Sequence, residues 1–263
     1  MPVYLGSLGR MIKLPYVVSQ QLQSEERYTF KRTLEGKNSA QRIPRSHRSW
    51  ALTADHFRAN ESATLQEFAN GSWGRGPFWF LSADALVSNV LPPTSSVFGS
   101  YADGGPLALE GGGWAPFSTR LSAGGAGTIQ FVAGTLDPPV MHGRKVTASA
   151  YVLGSAAYVT VQFFTVSGSL LGAVSSPAVS AASVARRVSV TADVPLNAAT
   201  ARVTARDATA AARPAITWTD SLQPYGDGQG CAKAVVHGVS RDVRLAMPGA
   251  TYLNMGFTVT EVG

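Results

Sequence analysis

The chain holds one cysteine, Cys231, among 263 residues. No disulfide can close within it, and no paired-cysteine metal motif is available. Charge is also sparse, at 14% of residues, although the balance is basic, with 22 Lys and Arg against 16 Asp and Glu. No run of five or six basic residues marks a nucleic-acid tail. The densest basic stretch, Lys31 to Arg48, has no interleaved aromatics and reads as a solvated loop or a subunit contact rather than a nucleic-acid surface. No apolar run approaches the ~18–20 residues that a membrane helix needs. The opening MPVYLGSLGRMIKLP lacks a basic stretch followed by an apolar one, so no secretory signal is expected. These absences point to synthesis and folding in a reducing cytoplasm.

Catalytic patterns are missing too. His47, His56, His142 and His237 have no HxH, HExxH or CxxC company, so no metal site is expected. There is no G-x-S-x-G elbow. The glycine clusters at Gly104-Gly105 and Gly111–Gly113 lack the lysine and the strand–helix setting of a phosphate loop. Scattered carboxylates such as Asp103, Glu110, Asp137 and Asp220 show no defined pairing of the kind glycoside hydrolysis requires. The expectation is a protein without enzymatic activity or cofactor, whose work is done by surfaces.

What is present is a pattern of short strands. Gly, Ala, Ser, Thr and Val are plentiful, which favours a mainly β fold. The organising stretch is Gly71–Pro93. Its Phe78-Trp79-Phe80-Leu81 reads as a strand buried on both faces, because four large apolar residues do not alternate. Ahead of it, Asn60–Asn70 reads as a helix, with Asn60 or Ser62 as cap and Thr64 and Glu67 at capping-box spacing. Leu65, Phe68 and Ala69 form its stripe, and Gly71 its left-handed stop. Strands are expected at Val3–Leu5, Met11–Leu14, Tyr28–Leu34 and Arg48–Ala54. From Pro92 to about Thr128 the Gly and Pro density predicts irregular linker and loops.

Beyond it, about seven short strands between Ile129 and Leu222 imply a β-sandwich. Gln223–Gly230 reads as a second linker. The final strands, near Ala234–His237, Asp242–Ala246 and Tyr252–Val259, are too few to fold alone, and the first ninety or so residues are their obvious partners. The chain is thus expected to hold a discontinuous β-sandwich with one α-helix, residues 1–92 and 230–263, interrupted by an inserted β-sandwich jelly roll, residues 93–229.

Two resemblances follow from these motifs. The Trp50 strand, the helix, Gly74-Arg75-Gly76-Pro77-Phe78-Trp79-Phe80 and the exit Asn89-Val90-Leu91-Pro92 together resemble minor tail proteins of siphophages infecting actinobacteria. Those in turn resemble the distal tail protein family. The resemblance implies a hexameric ring beneath the tail tube, contacts with the tube protein and a tail-tip hub, a place in the virion, and a second β-domain facing outward. On that reading Trp73, Arg75 and Trp79 are subunit-contact candidates. The span from about Leu109 to Tyr225 resembles a galactose-binding-like jelly roll of the carbohydrate-binding-module type. Its closing strand Ile216-Thr217-Trp218-Thr219-Asp220-Ser221-Leu222-Gln223 carries that likeness. No calcium-site carboxylate cluster accompanies it, and the Ala/Ser stretch Ala178–Ala185 departs from the pattern. Saccharide binding needs an aromatic to stack on a pyranose ring; Trp114, Tyr151, Tyr158, Trp218 and Tyr225 are the aromatics on offer, Trp114, Tyr151 and Tyr158 the leading candidates, and host cell-wall glycan the implied partner. Trp218, in an alternating strand, reads as core. The alternative function is therefore a carbohydrate-binding adhesin.

Overall fold

The computed structural model describes residues 2–15, 17–24, 28–32, 36–42, 48–98, 105–120, 126–132, 137–180, 182–248 and 250–262. It is mainly β. In chain order the elements begin with β1 (Val3–Ser7), β2 (Arg10–Leu14), β3 (Val17–Ser24), β4 (Tyr28–Arg32), β5 (Asn38–Arg42) and β6 (Arg48–Arg58). Next come α1 (Ala59–Asn70), β7 (Phe78–Leu81), α2 (Ala83–Val87) and α3 (Pro93–Ser96). Four short strands follow: β8 (Leu107–Leu109), β9 (Gly113–Ala115), β10 (Thr119–Arg120) and β11 (Gly127–Gln130). The longer strands β12 (Lys145–Leu153), β13 (Tyr158–Phe164), β14 (Leu170–Ser175), β15 (Arg186–Asp193), β16 (Thr200–Ala208) and β17 (Ala210–Thr217) come next. The chain closes on β18 (Cys231–Met247) and β19 (Ala250–Glu261).

The chain divides into two units: Met1–Val3, Lys13–Phe80 and Lys233–Gly263 in the first, and Tyr4–Ile12 and Leu81–Ala232 in the second. These bounds differ from the expected 92 and 230. The reason is hydrogen bonding. Trp218 N donates to Leu86 O at 2.8 Å and Val90 N to Ile216 O at 2.8 Å, which tie residues beyond Leu81 to β17 and the segment after it. Tyr4 packs edge-on against Trp218 at 4.8 Å, and its hydroxyl accepts from Arg144 Nη2 at 2.6 Å, so β1 groups with the second unit.

In the first unit the strand order is β18-β19-β6-β3, with β7 on the other side of β18. All these pairings with printed register are antiparallel, Val259 lying opposite Trp50 and Trp50 opposite Leu22. The terminal strands do take partners from the first ninety residues, as their number required. Along β6, Trp50, Leu52 and Ala54 point inward, and His56, at φ 59°, shifts the alternation so that Phe57 is buried as well. Every residue of β7 is buried, as its unbroken apolar run predicts. Phe80 meets Trp50 at 5.0 Å and Phe78 meets Phe68 of α1 edge-on at 4.9 Å. Burial of each such ring is worth roughly 1.5–3 kcal/mol. At the end of β6, Arg48 stacks over Trp50 at 5.0 Å and donates twice to Glu261, at 2.8 and 3.1 Å.

The helix starts one residue before the expected span, and its cap differs. Arg58 is the cap residue, and its N–H donates to Glu61 Oε2 at 2.9 Å, while Thr64 Oγ1 donates back to Asn60 O. The Asn60/Ser62 cap and the Thr64/Glu67 box are thus corrected: β6 runs straight into the helix, which moves the first turn upstream. Gly71 closes it at φ 82°, as expected. The two terminal strands expected at Ala234 and Asp242 form one strand, β18. Its register shifts between His237 and Ser240, where Gly238 takes φ 63°.

The second unit contains two four-stranded sheets, β10-β17-β12-β15 and β11-β16-β13-β14. Val146, Ala148, Ala150 and Val152 of the first and Val159, Val161 and Phe163 of the second are buried, with Val188, Val190, Ala201, Val203 and Ala205 beside them. The region from Pro92 to Thr128 is not the unbroken irregular stretch expected. It holds α3 and four strands of two to four residues, including the β8–β9 hairpin. Such short strands leave no alternation to read, and their glycines dominate the pattern. β3 (VVSQQLQS), β5 and α2 also escaped the sequence reading because they are polar or short. The strand expected at Tyr28–Leu34 is present as β4 over Tyr28–Arg32, its last two residues lying outside the described ones. Most side chains of the basic Lys31–Arg48 stretch lie outside the described residues.

Where the chain leaves for the sandwich and where it returns, the two segments lie side by side. Gln229 N donates to Asn89 O at 2.9 Å and Gly230 N to Leu91 O at 3.0 Å. The Asn89 side chain, fully buried, satisfies all its capacity here. Its Nδ2 donates to Pro214 O at 3.0 Å and Gly226 O at 3.2 Å, and its Oδ1 accepts from Leu91 N and Ile216 N, both at 3.1 Å.

Candidate interaction surfaces

Trp73 and Arg75 follow the helix stop. The Trp73 N–H donates to Glu67 O at 3.1 Å, which wraps the chain back over the helix end and sets the indole against Phe68 at 4.8 Å. Trp73 is half-buried there. Arg75 is exposed between Gly74, at φ 138°, and Gly76, at φ 58°, both backbone conformations that favour glycine. Trp79 is different. It is 6% exposed within its own chain, so it anchors the core instead of presenting a contact surface. A strand covered on both faces leaves no side chain for a neighbour.

Exposed aliphatics gather elsewhere in the first unit. β3, at one end of its sheet, exposes Val18 and Leu22, and β18 exposes Val243, Leu245 and Met247.

The three saccharide candidates do not converge. Trp114 lies on β9 with 65% of its surface exposed, and Phe117 nearby is exposed as well. The Trp114 carbonyl accepts from Arg213 Nη2 at 3.0 Å, and the Arg213 guanidinium sits 5.3 Å from the Tyr225 ring. Tyr151, on β12, packs against the apolar cluster of Leu107, Leu109, Ala115, Ala210 and Ala212. Tyr158, on β13, belongs to the other sheet, opposite Arg206 of β16. Trp218 is half-buried against Tyr4, in keeping with a packing role.

Burial shifts two groups among the described residues of this unit. Burial pulls the Arg187 guanidinium down from its ordinary value, against an opposing effect of Tyr151. Arg187 Nη2 donates to Gln223 O at 2.6 Å and to Ser149 Oγ at 3.2 Å. Burial pushes the Tyr225 phenol up, with Asp227 adding to the shift and the hydrogen bond to Ser96 and the charge of Arg213 opposing it. The folded chain therefore holds the Tyr225 proton to a higher pH than the unfolded chain does. That contribution is complete below about pH 10 and is lost as pH rises through the raised value. Tyr225→Phe should flatten the fall in thermal midpoint above about pH 10, measured against wild type in matched buffers.

Among the described residues there is no group of three or more His, Cys, Asp or Glu placed to hold a metal, and no helix is long and apolar enough to cross a membrane. Cys231 is buried. Compared with known proteins, the chain matches no family model, no curated protein and no solved structure.

Proposed function

We propose that the protein is a structural component of a phage tail, forming a ring at the distal end of the tail tube, with the second unit as an accessory β-sandwich module. One observation carries the reading: the first unit exposes aliphatics on the strand at one end of its sheet and on the long β18. β3, at the edge, leaves one side of its backbone open to another strand, and exposed aliphatics on it and on the paired β18 favour association with another chain. Interfaces that close by rotation join two different patches of one subunit, as these strands are. The motif Gly74-Arg75-Gly76-Pro77-Phe78-Trp79-Phe80 and its resemblance to tail proteins add the tail context, and with it a tube protein and a hub as neighbours in the virion. The work is done by surfaces, without a catalytic step.

Arg75→Ala is expected to lower the assembled fraction, measured by analytical ultracentrifugation, while the thermal midpoint of the subunit moves little; Trp73→Ala should lower both, because it also removes the ring packed on Phe68. Normal assembly by both variants would remove these residues from the interface.

A second reading, adhesion to host cell-wall glycan, is favoured by the second unit. Trp114 presents an indole to solvent there, and a separate sheet carries Tyr158 beside Arg206. The two roles are compatible in one chain.

A further inference from the structure

Strand register brings together a polar face that the sequence does not display. On the sheet β11-β16-β13-β14, Val159, Val161 and Phe163 point into the sandwich, so their neighbours along β13 point the other way. Directly paired residues share a face. Gln130, Thr204, Thr160 and Ser175 therefore form one row across all four strands, a span of about 14 Å at the usual strand spacing. Arg202, Gln162 and Ala173 form a second row, and Arg206 with Tyr158 a third.

Some of these groups are already engaged. Arg202 is held by Asp137, at 2.9 and 3.0 Å, and lies over Phe164 at 4.7 Å, while Thr160 is hydrogen-bonded to Ser175 at 2.8 Å. Others are not. The Thr204 hydroxyl is buried without a hydrogen-bond partner, although the residue is only 2% exposed. A buried polar group without a partner is uncommon. The side chains of Arg206 and Gln162, half-exposed beside Thr204, make no hydrogen bond or ion pair among the described residues, although their backbones belong to the β13–β16 ladder.

We propose that this face binds an anionic glycan, a polysaccharide chain carrying carboxylate or phosphodiester groups. The proposal rests on the glycan-adhesion reading above. The Tyr158 ring packs on a pyranose face. Arg206, beside it, takes the anionic group through its planar fork of donors. Gln162 meets sugar hydroxyls on the same face. Arg202, fixed by Asp137 and Phe164, forms one wall of the site.

The test uses the full chain immobilised at about 0.15 M salt, so that loose charge attraction is screened. Polygalacturonate supplies carboxylates, poly(glycerol phosphate) supplies phosphodiesters, and dextran is the neutral control. The expected result is retention of one anionic polymer at least about tenfold better than dextran. Arg206→Gln and Gln162→Ala should each weaken it by about tenfold, with unchanged circular dichroism, and each by more than Trp114→Ala does. The arm that is retained identifies the anion. Equal retention of dextran would overturn the anionic specificity. Retention lost in Trp114→Ala but kept in Arg206→Gln would move the site to β9 and overturn the face assigned here, leaving glycan adhesion intact. No retention of any polymer would overturn both the site and the adhesion reading.

Discussion

Gly230→Ala is expected to destabilise the second unit by about 3 kcal/mol or more, at the upper end of what overpacking costs. A Cβ at this position would overlap the Val90 carbonyl oxygen and lie 2.7 Å from the Val90 carbonyl carbon. Both obstacles are backbone, and that backbone is held by the Gly230 N–H to Leu91 O and Val90 N–H to Ile216 O hydrogen bonds. No side chain can turn away to make room. Gly228 is confined in the same way, with Leu91 O at 2.5 Å and Pro92 O at 2.6 Å from the added carbon. At roughly 2–4 °C per kcal/mol for a unit of this size, the thermal midpoint should fall by about 6 °C or more. Gly172→Ala is the matched control, because a Cβ there meets nothing within 4 Å and the backbone is not in the left-handed region. It should leave the midpoint unchanged or raise it slightly. Equal midpoints for the two variants would show that the outgoing and returning segments are not packed as described.

Asn89→Ala is expected to cost about 3 kcal/mol, read as a lower urea midpoint at constant slope. The truncation strands the N–H groups of Leu91 and Ile216 and the carbonyls of Pro214 and Gly226 in a buried site. Each unsatisfied buried group costs roughly 1–3 kcal/mol, and partial relaxation keeps the total below the sum. Asn89→Asp should be at least as damaging. It keeps one acceptor oxygen but turns a second, charged oxygen toward two carbonyls, with no water to hydrate it. Asparagine is the one residue of this size that can donate twice and accept twice here. A loss under about 1 kcal/mol for both variants would mean that water or a shifted loop replaces the amide.

These two positions show where sequence reading reaches and where it stops. Asn89-Val90-Leu91-Pro92 and Gln223–Gly230 read in the sequence as the ends of an insertion, because composition changes there, although the second unit runs past both, from Leu81 to Ala232. That they hydrogen-bond to each other through Asn89 is not legible, since the partners lie more than a hundred residues apart. β7 was readable from four apolar residues, and the helix from its stripe and Gly71. The start of α1 was not, because the cap uses a backbone N–H of Arg58 and the Glu61 carboxylate instead of a Ser, Thr or Asn side chain. β3 was missed because Gln and Ser occupy a strand at the end of a sheet, where no face demands alternation. Trp79 was misjudged as a contact residue although the same run that identified the strand implies burial. The polar face of β13 and β16 was visible only as half: Tyr158, Thr160 and Gln162 alternate in sequence, but register alone puts Arg206 and Thr204 opposite them.

The most direct test of the tail-ring reading is negative-stain electron microscopy of the purified chain, with its mass measured in the same buffer across a hundredfold range of concentration. The reading predicts closed rings of uniform subunit number, six by the family resemblance, and a mass that rises to that multiple as concentration increases. A single-chain mass at every concentration, with no rings on the grid, would contradict it.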